Sequence, residues 1–447
     1  MANISNPRQL AVITLNQLEE TGGFLRELVD AQIRSNDLTR VDQGLYTELV
    51  YGTVRMRANL DYILQKYSSR PLAKIQLSIL NVLRSALYQI LYLDRIPVSA
   101  AVNEAVRLAR IFGHEGVVKF TNGILRRVAR ESATITYPSL EDNPVDHISF
   151  KYSYPSWIVE LWLDWWGLEE TLALCQAMNE QPEMHIRVNT LKTTQEEVEA
   201  HLTERGCSCS PGRFVPEILK VHPGHLVISD SWLSEGKYYV QDESSALVAH
   251  ALQVEPGQVV YDLCSAPGGK ATHLAQLMKN QGRIMAFDVS STRLETVEKN
   301  AQRLGISIIE TRQGDASSDL GLAPAPRVLV DAPCSGLGTM RHRPDIRWSK
   351  SKEEIRDLVE IQKGILSQAA NYVAPGGLLL YTTCSLTKWE NHDVAQWFLA
   401  NHPQFSPDSF PSWFPETPGE PSWMKTLLPH RDLVDGFYLA IFRKYKV

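Results

Sequence analysis

The sequence has few cysteines and no long apolar run, and each shortage excludes a class of protein. Six cysteines in 447 residues form no regular framework, which excludes a disulfide-stabilised secreted scaffold and predicts free thiols in a reducing compartment. No stretch approaches about 18 uninterrupted apolar residues, so no transmembrane helix is expected. The opening stretch MANISNPRQLAVITLNQLEE lacks the basic and apolar regions of a secretory signal. We therefore expect a cytoplasmic protein without a membrane partner.

An overall positive charge, which is common in nucleic-acid-binding proteins, is also lacking. The formal net charge is −6, yet residues 51–130 carry 13 Lys and Arg against four acidic residues, a surplus of nine. A basic module on an acidic protein fits contact with RNA or DNA phosphates. A solvated helical face would give the same pattern, because Lys and Arg are common on any exposed helix. Charge alone leaves both interpretations open.

The distribution of apolar and polar residues divides the chain into three regions. The length of the chain also favours two or three domains over a single core. Apolar residues recur at helical spacing through residues 1–140, which predicts an all-α domain. Ser, Pro and Asp accumulate over residues 132–156, which predicts a linker. Residues 150–235 mix a Trp-rich helix, strand-like runs and a polar helix, which is typical of a small α+β domain. We expect the tryptophans to pack in the core rather than on nucleobases.

Residues 236–447 alternate strand-like and helical segments. The runs VVYDLCSAPGG, GRIMAFDVS, RVLVDAPCSG and GGLLLYTTCSL each end in a polar or glycine-rich turn. This alternation predicts a mostly parallel, doubly wound, Rossmann-like α/β domain. A ligand of such a sheet lies at the carboxyl ends of the strands, which is where these polar residues fall.

The turn after the first of these strands, DLCSAPGGK over residues 262–270, is a candidate nucleotide loop. Its glycines allow a tight turn and a close backbone approach, but the spacing matches neither a Walker A loop nor G-x-G-x-x-G. A nucleotide without a pyrophosphate is the better candidate. Asp288 ends the next strand, where it suits two ribose hydroxyls, and Asp315 follows the third strand, where it can reach an adenine edge. Carboxylates after three successive strands favour S-adenosylmethionine (AdoMet) over a structural accident. The predicted cofactor residues are Cys264, Ser265, Ala266, Pro267, Gly268, Gly269, Lys270, Asp288, Asp315 and Asp331.

Two further strand ends carry thiols, Cys334 in DAPCSG and Cys384 in TTCS. Neither cysteine has the paired Cys or Cys/His spacing of a zinc site, so no metal is expected. Each of these cysteines could instead be a buried and chemically inert thiol that only fills space in the core. Two cysteines that face one pocket from adjacent strand ends would be unusual as packing alone.

These motifs carry a resemblance to a known family. DLCSAPGGKATHLA, FDVS, DAPCSGLGTMRHRPDIRW and TTCSLTKWEN, with QDESSALV upstream and DGFYLAIFRK at the end, are similar to the motif series of the RNA cytosine-C5 methyltransferases, the NOL1/NOP2/Sun family. The resemblance covers roughly residues 150–447, and the pair PCSG plus TCS is specific. The N-terminal stretches VYGTVRMRANLDYIL, ALYQILYLDRIP and FTNGILRRV resemble the NusB-type RNA-binding fold. Two departures, Ser265 in place of alanine and Tyr154 in place of histidine, do not touch the chemistry.

The resemblance implies a fold, a substrate and site residues. It implies an AdoMet-dependent enzyme that modifies a 16S rRNA cytosine, acts as a monomer and meets its RNA before the subunit is fully assembled. The family pattern places Lys270 beside the target base and makes Cys384 the nucleophile, while Cys334 assists proton removal and release. The stretch from Arg341 to Trp348 would hold RNA, although basic surface loops are common.

Cytosine chemistry explains why two thiols are needed. C5 is a poor nucleophile, but a thiolate that adds at C6 converts the ring to an enamine that can attack the sulfonium methyl. Asp331 could donate a hydrogen bond to N3 if burial and a nearby anion raise its pKa. Spacing does not decide which thiol attacks, because DNA cytosine methyltransferases use a Pro-Cys, here Cys334, and the RNA family uses the cysteine of its TC motif, here Cys384.

Two other functions stay open. The NusB-like part also fits a non-catalytic RNA-binding or antitermination factor, although intact Asp331, Cys334 and Cys384 speak against it. The same chemistry on tRNA or on another rRNA site is the second alternative, because the sequence does not fix the nucleotide.

Truncation of Asp288 tests the cofactor prediction. A carboxylate that accepts hydrogen bonds from two ribose hydroxyls leaves both donors unpaired when it is removed. Asp288→Ala is expected to weaken AdoMet binding by about 1.4 kcal/mol or more, which is about tenfold, in a calorimetric titration. An unchanged affinity would remove Asp288 from the cofactor site.

Overall fold

The computed structural model of the chain describes residues 4–446. The helices in chain order are α1 (Pro7–Thr21), α2 (Leu25–Ser35), α3 (Arg40–Arg55), α4 (Arg57–Tyr67), α5 (Leu77–Tyr92), α6 (Val98–Phe112), α7 (Glu115–Glu131), α8 (Pro144–Tyr152), α9 (Ser156–Ala177), α10 (Gln195–Glu204), α11 (Gly224–Ile228), α12 (Ser231–Ser234), α13 (Glu243–Ala251), α14 (Gly269–Leu277), α15 (Ser291–Leu304), α16 (Ile346–Ser349), α17 (Lys352–Tyr372), α18 (His392–Asn401) and α19 (Pro429–Asp432). The strands are β1 (Met184–Val188), β2 (Ser208–Pro211), β3 (Ile218–His222), β4 (Tyr238–Val240), β5 (Val259–Asp262), β6 (Arg283–Asp288), β7 (Ile309–Gln313), β8 (Ala325–Asp331), β9 (Val373–Thr383), β10 (Phe405–Pro407), β11 (Met424–Leu427) and β12 (Phe437–Lys444).

Contacts within the chain group it into two units. The N-terminal unit takes in the residues up to Glu180 together with His342–Ser349, and the C-terminal unit takes in Gln181–Arg341 and the chain from Lys350 onward. The domain limits 1–140, 150–235 and 236–447 remain a prediction.

The N-terminal unit is built from helices, as its apolar spacing predicts. Helix α1 begins where the Asn6 side chain accepts hydrogen bonds from Arg8 N and Gln9 N, with Pro7 at the first helical position, a favourable start for a helix. Helix α5 is buried along most of its length and packs against α1, α3, α6 and α7. The core of the unit therefore surrounds α5.

The prediction of a linker over residues 132–156 is wrong where α8 forms. Asn143 caps this helix by accepting a hydrogen bond from Asp146 N at 3.1 Å, and Pro144 follows at the first position. The Asn59 side chain of α4 donates to Phe150 O at 2.9 Å and so holds the helix in place. A nine-residue helix is too short to show a clear apolar period, and its Asn-Pro start resembles a turn.

The segment His342–Ser349 contributes a buried cation to the N-terminal unit. The Arg347 side chain is fully buried, and its guanidinium donates to Arg55 O at 3.3 Å, to Ser153 O at 3.1 Å and to Met178 O at 2.9 Å. It also lies 4.0 Å from the centre of the Tyr154 ring. One side chain therefore joins the ends of α3, α8 and α9.

This arrangement bears on two residues of the stretch Arg341 to Trp348, whose predicted contact with RNA otherwise stays a prediction. Arg347 has no exposed surface, and Trp348 Nε1 donates to Val54 O at 2.7 Å. A charged residue that satisfies main-chain carbonyls cannot be distinguished in sequence from one that faces solvent. The RNA prediction is wrong for the Arg347 side chain.

The tryptophans of α9 behave as predicted where the helix faces the core. Trp162 is 1% exposed, with its ring centre 5.5 Å from that of Tyr154 and 6.2 Å from that of Trp166. Core packing is therefore confirmed for Trp162.

The C-terminal unit contains two sheets. The smaller is antiparallel, in the order β2-β3-β1-β4, and α10 beside it begins with a capping box between Thr194 and Glu197. The larger has the order β10-β12-β9-β8-β5-β6-β7, with β11 paired to β12. Strands β9, β8, β5, β6 and β7 are parallel, which confirms the predicted doubly wound sheet, whereas β10, β11 and β12 add an antiparallel edge.

The strand order reverses direction beside β5. The chain runs from β5 outward through β6 to β7 and then returns to β8 on the other side of β5. The crevice between the carboxyl ends of β5 and β8 is thus a topological switch point, where such sheets bind ligands. Asp262 ends β5 and Asp331 ends β8. Within residues 4–446, no helix is both long and apolar enough to cross a membrane.

Replacement of Arg347 tests its structural role. Arg347→Met leaves three carbonyls without their charged donor and is expected to lower the free energy of unfolding by about 3 kcal/mol or more. The measurement is thermal or urea unfolding followed by circular dichroism. Arg343→Met is the matched control, because Arg343 is exposed, lies 5.3 Å from the centre of the Phe24 ring and otherwise acts only through the charge of its side chain on Asp345 and Tyr51, among the partners seen for that side chain. We expect a loss of less than about 1 kcal/mol there, and equal losses would contradict the assignment.

Candidate active site

The parallel pairing of β8 with β9 brings the two predicted thiols together. Asp331 stands opposite Thr382 in the register, and Ala332 N donates to Thr382 O at 3.0 Å just beyond the strand end. The two loops that follow place Cys334 Sγ 3.3 Å from Cys384 Sγ. The structure thus confirms that both cysteines face one place.

The two thiols differ in their electrostatic surroundings. When Cys384 is the thiolate, the Cys334 thiol is the donor of the hydrogen bond between the two sulfurs. This bond lowers the pKa of Cys384, and the positive charge of Lys270 adds to the effect against burial and Asp331. The same contact raises the pKa of Cys334, and burial raises it further. All six cysteines lie among the described residues, and the other four have a raised pKa, chiefly through burial. Cys384 is therefore the cysteine most suited to carry a thiolate.

Lys270, on the first turn of α14, forms an ion pair with Asp331. Its Nζ lies 2.6 Å from Asp331 Oδ2, and Thr382 Oγ1 donates to Asp331 Oδ1 at 2.9 Å. Burial alone would lower the pKa of Lys270, but the attraction of Asp331 outweighs it and raises the pKa overall. A protonated lysine therefore lies beside the thiol of Cys384.

The predicted cofactor loop is held against α15. Gly268 adopts φ +95°, and a Cβ there would lie 3.1 Å from Val297 Cα, so that glycine alone fits without strain. Ala266 O accepts a hydrogen bond from Arg293 Nη2 at 3.1 Å. The loop from Cys264 to Lys270 consequently has a fixed path from the end of β5 into α14.

Buried polar atoms with unused hydrogen-bonding capacity lie in this loop. The Asp262 carboxylate oxygens and the Ser265 hydroxyl are buried. Ser265 and the Cys264 main chain interact weakly with the Asp262 carboxylate, but none of these side-chain atoms makes a well-formed hydrogen bond among the described residues. Burial, with added repulsion from Asp331, raises the pKa of Asp262 to about 7. Buried polar groups are normally paired, so these atoms fit a ligand rich in hydroxyl and amino donors. The residues present therefore fit AdoMet.

The two other predicted cofactor carboxylates follow β6 and β7. Asp288 is 5% exposed and accepts from Ser290 N at 3.0 Å, with Arg293 Nη1 3.2 Å from its second oxygen. Asp315 is exposed and accepts from Ser317 N and Oγ, two bonds that lower its pKa. Their roles toward ribose and adenine remain predictions. Sequence reasoning missed Arg293, which resembles any basic residue on a surface helix.

A buried carboxylate that sequence reasoning also missed lies next to both cysteine loops. Glu390 has no exposed surface and accepts hydrogen bonds from Ser335 and Ser385, the residues that follow Cys334 and Cys384. In the sequence TTCSLTKWEN it stands just before α18, where an acidic residue is expected as a solvent-exposed group near a helix terminus. Only the fold shows that it is buried.

Glu217, His250 and His273 form a separate polar cluster, close enough to be considered for a metal. His250 Nε2 lies 2.9 Å from Glu217 Oε1, and His273 Nε2 contacts the same oxygen. Burial alone would raise the pKa of Glu217, but these hydrogen bonds lower it. The cluster is a hydrogen-bonded triad, and the prediction that the protein needs no metal stays a prediction.

Comparison with known proteins identifies the family. The family model for the 16S rRNA methyltransferase RsmB/F matches residues 249–443, the NusB family model matches residues 5–130, and the model of the ferredoxin-like domain of RsmF/B-like methyltransferases matches residues 154–227. The probable ribosomal RNA small subunit methyltransferase B of Bacillus subtilis is 36% identical over 443 residues, which is 98% of each chain. The chain belongs to the RsmB/F family of 16S rRNA methyltransferases.

Further relatives agree with membership in the RsmB/F family. The probable ribosomal RNA small subunit methyltransferase B of Synechocystis is 35% identical over 98% of this chain and 99% of its own. The crystal structure of PH0851 matches with a TM-score of 0.82 and 31% identity, and the match covers 99% of this chain and 100% of that one. The chain is thus an AdoMet-dependent RNA methyltransferase with a NusB-like N-terminal part, as predicted. Family membership favours the enzyme over the non-catalytic factor.

The lowered pKa of Cys384 predicts how its alkylation depends on pH. A thiol with a lowered pKa keeps its thiolate at pH values below the ordinary range and loses it only as the pH falls through that lower pKa. We expect iodoacetamide to modify Cys384 with a pH midpoint below that of Cys209, measured by mass spectrometry of the peptides.

The variant Cys334→Ala removes the hydrogen-bond donor and should move the Cys384 midpoint upward. Cys209→Ala, which removes a half-buried thiol on the small sheet, serves as the control and should leave the midpoint in place. A midpoint that stays the same or falls in Cys334→Ala would contradict the direction of the hydrogen bond.

Proposed function

We propose that the protein transfers the methyl group of AdoMet to C5 of a cytosine in 16S rRNA through a covalent bond between Cys384 and C6. The observation that carries the proposal is the pair of thiols at 3.3 Å, of which Cys384 has the lowered pKa. Among pyrimidine modifications, methylation at C5 needs both a nucleophile and a second group that removes the C5 proton. The thiol pair supplies both.

Attack begins at Cys384. Its thiolate forms a carbon–sulfur bond at C6, and the electron pair of the C5–C6 double bond moves through the ring as N3 takes up a proton. The Lys270–Asp331 pair, with its short 2.6 Å contact, holds a proton that can be donated toward N3. The residues that would hold AdoMet are those of the loop Cys264–Lys270 with Asp288 and Asp315. When bound, AdoMet supplies an electrophilic methyl group to C5.

Release requires Cys334 to change from donor to base. In the free site its pKa is raised first of all by the hydrogen bond to Cys384. Once the Cys384 sulfur is bonded to carbon, it no longer carries the negative charge that retains the Cys334 proton. Cys334 can then give its proton to solvent water, and the resulting thiolate removes the proton from C5. The C6–sulfur bond breaks with its electron pair returning to Cys384, and N3 gives its proton back to the Lys270–Asp331 pair. The contact between the two thiols therefore explains why Cys334 is first a hydrogen-bond donor and becomes a base only after Cys384 has bonded to C6.

The basic stretch 51–130 would hold the RNA around the target. A cytosine within folded RNA must leave its stack, which costs on the order of a few kcal/mol, and phosphate contacts can offset that cost. Most basic side chains of this stretch are exposed, whereas Arg55 and Arg84 are buried. We propose a monomer that works in the cytoplasm without a metal, before the subunit is fully assembled and while the target cytosine can still be extruded.

The fate of the covalent intermediate tests the two roles. Cys334→Ala should still add and methylate but fail to eliminate, which leaves protein joined to RNA as a nuclease-sensitive band in denaturing electrophoresis. Cys384→Ala should be inactive and form no band, and the double variant should lose the band. Cys209→Ala, the matched control, should turn over normally without a band. A band in Cys384→Ala that is absent from Cys334→Ala would reverse the assignment.

The substrate is tested by mapping 5-methylcytosine in total RNA from cells with and without the gene. Loss of one 16S rRNA mark is the expected result. Loss of a mark in tRNA with 16S rRNA unchanged would keep the chemistry and overturn the proposed substrate.

A further inference from the structure

Glu390 is a fully buried carboxylate in the turn between β9 and α18. A buried charge is costly unless hydrogen bonds compensate it, and the groups seen to donate to this carboxylate are neutral. Because only neutral groups compensate this carboxylate, each donor must point at one of its two oxygens. The positions of the donors are therefore fixed. The Glu390 side chain is therefore a rigid reference point for the loops that supply the donors.

The donors come from the residue after each reactive cysteine. Glu390 Oε1 accepts from Ser335 N at 2.7 Å, and Oε2 accepts from Ser335 Oγ at 2.6 Å. Oε2 also accepts from Ser385 Oγ and, at 2.7 Å, from Thr387 Oγ1. The two serine hydroxyls are themselves 2.9 Å apart. A single carboxylate thus binds the loop of Cys334 and the loop of Cys384 at once.

A second set of hydrogen bonds fixes Glu390 itself. Gln362 of α17 donates through Nε2 to Glu390 Oε1 at 3.2 Å and to Pro333 O at 3.0 Å. Tyr381 donates from its hydroxyl to Glu390 O at 2.6 Å. Because Pro333 precedes Cys334 and Ser335 follows it, the Cys334 loop is held on both sides.

We propose that Glu390 is a positioning residue that sets the spacing of the Cys334 and Cys384 thiols by binding Ser335 and Ser385 together. A carboxylate accepts all five of these hydrogen bonds, two N–H donors at Oε1 and three hydroxyls at Oε2. A glutamine would turn its NH₂ group either toward the N–H donors, which cannot accept, or toward the three hydroxyls, of which it can satisfy only two after they have turned to accept. Glu390→Gln should consequently separate the two loops without a change in side-chain size. The kinetic consequence rests on the proposed function, but the spacing itself does not.

The test uses dibromobimane, which becomes strongly fluorescent when it joins two adjacent thiols. In the wild-type protein it should join Cys334 to Cys384, as peptide mapping would verify. In Glu390→Gln this reaction should slow by about tenfold or more, and kcat for RNA methylation should fall by about 100-fold, the effect of misplacing a reacting group by about 1 Å. KM for RNA and the Kd of AdoMet should stay unchanged, because Glu390 has no exposed surface and is not among the residues proposed to hold AdoMet.

Glu217→Gln is the matched control. Glu217 is also a buried carboxylate of the C-terminal unit, but its hydrogen bonds go to His250 and His273. The control variant can lose stability as Glu390→Gln does, yet its cross-linking rate and kcat should match the wild type. Equal slowing in both variants would show a general loss of structure and overturn the proposal.

If Glu390→Gln fails to fold, the variants Ser335→Ala and Ser385→Ala test the proposal in its place. Each removes one hydroxyl donor and keeps the carboxylate, so each should slow cross-linking by less than Glu390→Gln would. Cross-linking at the wild-type rate in all folded variants, or no cross-link in the wild type, would overturn the positioning role. A wild-type protein that cross-links, loses cross-linking in Glu390→Gln and methylates no RNA would uphold the positioning role and refute the proposed function.

Discussion

The register between the parallel strands β8 and β9 is the constraint on which the site depends. With Asp331 opposite Thr382, both strands end at the same level and their loops begin side by side. A shift by one residue would turn every side chain of one strand to the other face. Val328, Leu329, Leu379 and Leu380 are fully buried on both faces of these strands, so such a shift would force side chains of different shape into closely packed positions, which is costly. Core packing therefore fixes the relation between the thiols before any polar contact is made.

Within this arrangement of strands, two chemically identical side chains differ in pKa because their surroundings differ. Lys270 and the Cys334 thiol favour a thiolate at Cys384, while Cys334 keeps its proton. Burial strengthens each of these effects, because charges interact more strongly where water is excluded. Asp331 holds Lys270 at the site through a 2.6 Å contact. The sequence PCS and TCS contains no such asymmetry, which exists only once the sheet is formed.

The sequence predicts those parts of the fold that local pattern determines. The apolar runs ending in Asp262, Asp288 and Asp331 are strands because long buried runs in parallel sheets need no alternation, and their ends converge because the sheet is parallel. The roles of Cys334 and Cys384 came from a family resemblance, since spacing alone left them open. Arg347 and Glu390 could not be predicted, because a charged residue becomes structural only through partners far away in the chain. Helix α8 was missed because nine residues hardly establish a period.

The segment His342–Ser349 has a consequence for the order in which the protein is made. Its Arg347 completes hydrogen bonds to Arg55, Ser153 and Met178, all of which leave the ribosome far earlier. At translation rates of about 5–20 residues per second, the interval ranges from roughly 8–34 seconds after Met178 to roughly 15–58 seconds after Arg55. During that time Tyr154 and three main-chain carbonyls lack their cation. The N-terminal unit can thus reach its final stability only after β5 to β8, four of the eight strands described for the larger sheet, have been synthesised, which ties its maturation to that of the methyltransferase.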